Sequence, residues 1–226
     1  MAERAAACQQ RRREEAADYE RIRQRLATGD GQAAALLPLW GRKASESELV
    51  RAANDLLRES QPGRLRAYLR LFHRRRFPLD PAPLLALTRS ADETTAHLAL
   101  YALGPVEHPA VRALALDLLE RGDGRGARLL VGNYADGDYA RLERALGSWP
   151  DRDHLHTLGF DLREVVAAHP APSAAPALLA LYERGPCSNC RYGAVVLLQQ
   201  VASLPAWMVA ECRHDANPDL RELVGA

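Results

Sequence analysis

The strongest constraint on this chain is a pattern written twice between Pro172 and Ala226. An apolar helical stretch, Ala177–Arg184, leads through a turn to Cys187-Ser188-Asn189-Cys190-Arg191. A second one, Trp207–His214, leads to Asn217-Pro218-Asp219-Leu220-Arg221. Arg191 and Arg221 stand thirty residues apart, an interval of the size that stacked helical hairpins repeat on. In the second copy Asn217 is placed to cap a helix. Pro218 takes its first position, where the missing N–H costs nothing.

The same signature recurs upstream. His108-Pro109-Ala110-Val111-Arg112 opens an apolar run, and Phe160-Asp161-Leu162-Arg163 matches in part. The apolar-Arg pair at the start of a second helix, after Asn-Pro or His-Pro, resembles the HEAT-repeat family of α-solenoids over residues 45–226. That resemblance implies an all-α array of antiparallel helical hairpins in a right-handed superhelix, with residues 1–44 as an N-terminal helical cap or arm. It also implies a non-enzymatic scaffold acting through an exposed surface. Arg51, Arg112, Arg163, Arg191 and Arg221 are then expected to brace neighbouring repeats through carboxylates and turn carbonyls.

The rest of the chain agrees with a helical reading. Charged residues are 26% and aromatics only 6%, with alanine and leucine abundant, the composition of a helix former. No run alternates long enough for a strand, and none is long and apolar enough to span a membrane. Residues 2–27 read as one charged helix with Ala16, Tyr19, Ile22 and Leu26 on its narrow apolar stripe. Ser45-Glu46-Ser47-Glu48 is a capping box that starts the next long helix. Helices are expected over 32–40 (interrupted at Pro38), 62–76, from Asp80-Pro81, 92–103 and 109–120. Residues 151–168 read either as one helix or as two broken near Gly159. Four cysteines without an apolar leader point to a reducing cytoplasm and against a disulfide framework.

Two features carry chemistry. Cys187-x-x-Cys190 followed by Cys212-x-His214 supplies four candidate zinc ligands, Cys187, Cys190, Cys212 and His214, if the turns of adjacent hairpins meet. The same C-x-x-C at a helix start also suits redox work. The register of the repeat assigns Cys190 and Cys212 to core positions, where cysteine serves as a small hydrophobe. Asp153 and His156, at i,i+3, share a helical face without further ligands following in the chain.

The second feature is basic. Arg64, Arg66, Arg70, Arg74, Arg75 and Arg76 fall in a stretch with no acidic residue between Glu59 and Asp80. They make a candidate surface for an acidic protein or for nucleic acid. The HEAT-like resemblance extends to DNA glycosylases, which set tryptophans and a carboxylate around an extruded nucleotide. Trp40, Trp149 and Trp207 have no such carboxylate beside them in sequence. A net charge of only +1 argues against a surface that coats a polyanion, so a protein partner is the leading expectation.

Overall fold

The computed structural model describes residues 18–148 and 152–225. Among them the chain forms fourteen α-helices and no strand. No helix among the described residues is long and apolar enough to cross a membrane. The helices are α1 (Tyr19–Ala27), α2 (Ala33–Gly41), α3 (Glu46–Arg58), α4 (Pro62–Leu71), α5 (Ala82–Leu87), α6 (Glu93–Leu103) and α7 (Pro109–Glu120). They continue with α8 (Gly126–Leu129), α9 (Asp138–Ser148), α10 (Arg152–Ala168), α11 (Ala175–Arg184), α12 (Ser188–Gln200), α13 (Ala206–Cys212) and α14 (Pro218–Leu223). The chain divides into two compact units, one ending at His108 and one beginning at Pro109.

In the first unit, α2, α4 and α6 pack in succession, with α1 against α2, α3 against α4 and α5 against α6. The core is set by the amphipathic stripes: Ile22 and Leu37, then Leu49, Leu56, Leu69 and Phe72 are all but inaccessible. Trp40 stacks on Tyr19 with ring centroids 4.5 Å apart, so α1 is docked by its aromatic residue. Ser45 caps α3 with a complete capping box: the Ser45 backbone N–H donates to Glu48 at 2.7 Å, and Glu48 N–H returns to Ser45 Oγ.

Three expectations change here. Asp18 has extended backbone and caps α1 with its side chain, so the helix does not run continuously through residue 18. The stretch preceding it lies outside the described residues. Pro38 does not interrupt α2, which continues to Gly41. The helix expected over 62–76 ends at Leu71, because Arg75 turns back to donate to the carbonyls of Gly41 and Ala44.

In the second unit α7 packs on α8 and α11 on α12, and alternate helices pack in two series. One series runs α7, α9, α11; the other runs α8, α10, α12, α14. Helix α10 is a single helix through Gly159. A Cβ on that residue would come within 2.7 Å of Leu181, so the glycine permits close approach of α11 instead of marking a break. Arg112 clasps the buried Asp138 at the start of α9 with bonds of 2.6 and 3.1 Å and also donates to the Asn133 carbonyl.

Candidate metal centre

Helix α12 begins at Ser188, with Cys187 in the extended N-cap position. The Cys187 carbonyl accepts from the N–H groups of Cys190 and Arg191, so this turn holds both cysteine side chains at the helix start. Gly185, just upstream, lets the turn close. A Cβ there would fall 2.7 Å from Cys190 Cβ and 2.5 Å from the Leu181 carbonyl. Helix α10 packs against α12 and brings His156 to the pair. Its Nδ1 stands 3.5 Å from Cys187 Sγ and 3.3 Å from Cys190 Sγ, and the two sulfurs are 3.6 Å apart. These three side chains form a group able to hold a metal ion.

The surroundings fix the imidazole. His156 meets the ring of Phe160 edge-on at 4.8 Å, and the Arg163 guanidinium lies 5.5 Å from that ring on its other side in sequence. Gly193 of α12 leaves the space Arg163 occupies, since a Cβ there would fall 2.4 Å from its Nε. Cys190 is buried, whereas Cys187 and His156 are half-buried, so the group has one dry side and one accessible side.

The two thiols differ. Burial pushes the Cys190 thiol up to about 11, and the neighbouring Cys187 adds to that. Burial works in the same direction on Cys187, but hydrogen bonds from Cys190 and the helix-start N–H groups outweigh it, with help from Arg163, and hold it below the ordinary thiol value. The pair therefore carries its first negative charge on Cys187.

The four ligands expected from sequence separate. Cys187 and Cys190 are together. Cys212 is fully buried at the end of α13 with its sulfur 3.6 Å from the Tyr182 hydroxyl, and burial raises its thiol pKa. His214 is exposed in the turn that follows. Neither belongs to the group, and His156 takes the place assigned to them. The side chain of Asp153 lies outside the described residues, as does Trp149. The signal that could have pointed to His156 is its interval: it precedes Cys187 by 31 residues, close to the thirty between Arg191 and Arg221.

The basic candidates also divide. Arg64 pairs with Glu59 at 2.9 Å, Arg66 reaches Asp92 at 3.9 Å, and Arg75 is spent on carbonyls and on Glu46 at 3.5 Å. Arg70, Arg74 and Arg76 are exposed and have no carboxylate partner among the described residues. Arg74 and Arg76 lie in the turn after α4, not on the helix. Trp40 is buried against Tyr19, while Trp207 is half exposed and stands T-shaped to Tyr182 at 6.3 Å between ring centroids.

No family model, no curated protein and no solved structure matches this chain. What the fold and the site define is an all-helical chain with a thiol–imidazole group between two of its helices.

Proposed function

We propose that the chain is a HEAT-like repeat scaffold that binds a partner protein through an acidic patch on that partner. One observation carries the repeat reading: contacts between residues 30 or 31 positions apart recur along both units. They are Arg51 to Glu20, Arg75 to Ala44, Tyr139 to His169, His156 to Cys187 and Tyr182 to Cys212. An interval of this size is what stacking of like hairpins would produce, although other bonds, such as Arg112 to Asp138 and Arg128 to Glu164, span 26 and 36 residues. It is shorter than the roughly 40 residues of many HEAT units, in keeping with the short helices here. Arg51, Arg112 and Arg191 hold carboxylates from other segments, as the resemblance implies, while Arg221 bonds the nearby Asp215 carbonyl and Arg163 lies over the Phe160 ring.

The docking edge is the set of arginines that the fold leaves over. Arg75 ties the turn after α4 to the loop after α2, which carries the exposed Arg42 and Lys43. Arg70, Arg74 and Arg76 share this end of the first unit. Glu46 pairs with Arg75, and Asp80 and Glu107 line the same hollow as Arg76. Such interspersed carboxylates suit a protein surface of mixed charge and repel a continuous polyanion, which favours protein over nucleic acid.

Lys43 is the chain's single lysine side chain, and it supplies the test. A zero-length carbodiimide cross-link in source lysate, after nuclease treatment, should join Lys43 to an aspartate or glutamate of one partner. The triple variant Arg70→Glu/Arg74→Glu/Arg76→Glu should lose that product while keeping its helical circular dichroism. A cross-linked partner unaffected by the reversal rejects this edge. Capture that disappears with nuclease assigns it to nucleic acid instead.

A further inference from the structure

We infer that His156, Cys187 and Cys190 form a zinc site that staples helix α10 to helix α12. The inference stands apart from the scaffold reading and rests on the shape of the donor triangle. Zinc holds thiolate sulfur at about 2.3 Å and imidazole nitrogen at about 2.05 Å in a tetrahedron. Those bond lengths require neighbouring donors to lie about 3.8 Å apart for two sulfurs and about 3.6 Å for sulfur and nitrogen. The observed separations are 3.6 Å between the sulfurs and 3.5 and 3.3 Å from them to Nδ1. Three donors already occupy one face of the coordination polyhedron, with only tenths of an ångström to adjust.

Donor chemistry selects the ion. Two thiolates and an imidazole are soft and borderline ligands, which suit zinc and reject magnesium and calcium. Two thiolates also neutralise the ion's two charges, so no net charge is created beside the buried Cys190. The start of α12 supports the anionic sulfurs with free backbone N–H groups and the positive end of the helix dipole. The ring of Phe160 against the imidazole limits its rotation, as an orienting partner does in known metal sites. Among the described residues the group offers three protein donors, and water completes the tetrahedron on the accessible side.

The energetic consequence is local. The ligands come from helices that sequence separates by a whole hairpin, so the ion closes a loop of 31 residues that packing alone must otherwise hold. Three glycines clear the space: Gly159 and Gly185 beside Leu181 and Cys190, and Gly193 beside Arg163. A side chain at Gly185, against the Leu181 carbonyl oxygen and Cys190 Cβ, would push the ligand-bearing turn away.

Full-length protein purified with reductant and without chelator should contain about one equivalent of zinc. After zinc removal, titration with Co2+ should give the visible d–d bands of a tetrahedral ion and a thiolate charge-transfer band in the near ultraviolet. Cys187→Ser/Cys190→Ser should abolish both. His156→Gln should weaken Co2+ binding at least tenfold, with helical circular dichroism unchanged. Cys212→Ser and His214→Gln should bind as the parent does, and this separates the structural ligand set from the one suggested by sequence. A reduced parent chain that gives no charge-transfer band overturns the inference. So does a site indifferent to His156→Gln, or one lost in Cys212→Ser with its helicity intact. A parent chain recovered from reducing buffer with Cys187 and Cys190 joined as a disulfide also overturns it, in favour of a redox pair.

Discussion

Asp161 should make this protein less stable as the pH rises through the weakly acidic range. Its side chain is 5% exposed on α10, with Arg128 Nη1 at 3.8 Å. Arg128 is held more closely by Glu164, so it compensates only part of the desolvation. Burial therefore dominates and pushes the carboxyl from 3.8 up to about 7, with Glu164 adding in the same direction and Arg128 opposing. The folded value lies above the unfolded one, so between pH 4 and 7 the folded state keeps a proton that the unfolded chain has released. Stability from this group is full below the unfolded value and falls until pH passes the folded one, a total of up to about 4 kcal/mol. Asparagine at this position is neutral throughout. The stability difference between Asp161→Asn and the parent should grow in the variant's favour by about 2.5 kcal/mol between pH 5 and pH 8. Urea unfolding of both proteins at four pH values in that range measures it, and contributions from other titrating groups cancel in the difference. A difference that does not change with pH would show that Asp161 is ionised and properly paired in the fold, and the burial argument would fail.

Two further outcomes follow from the packing. Arg112→Met leaves the Asp138 carboxylate, 1% exposed, with only the more distant Arg141 at 4.0 Å as counter-charge, and chemical denaturation should register a loss of about 3 kcal/mol; adding Asp138→Asn should restore part of it. Gly126→Ala and Gly193→Ala should diverge in thermal melts. The first Cβ meets the Ala115 carbonyl oxygen at 2.5 Å, a backbone atom that cannot yield cheaply, and should cost about 2 kcal/mol. The second meets only the flexible end of Arg163, so the gain of about 1 kcal/mol in helix propensity offsets most of the displacement.

Local signals survived into the structure because they depend on local physics. The Ser45 capping box, the Asn217 cap with Pro218 behind it, and the apolar stripe of Tyr19, Ile22 and Leu26 are all present. Gly159 left one helix or two open in sequence, since in a helix a glycine is equally a place for a neighbour to come close. The span 62–76 was too long, because what ends α4 is a long-range bond from Arg75 to carbonyls 31 and 34 residues back.

The sequence by itself determined that the chain is helical, where most helices begin, and that Cys187 and Cys190 open one of them. Those are consequences of caps, propensities and spacing within a few residues. Tertiary structure alone decided which imidazole meets the two thiols and which arginines remain free. Cys212 and His214 lie nearer the pair in sequence than His156 does, yet the stacking of α10 on α12 overrides that nearness. Helix-on-helix packing sets a residue's neighbours without regard to its distance along the chain.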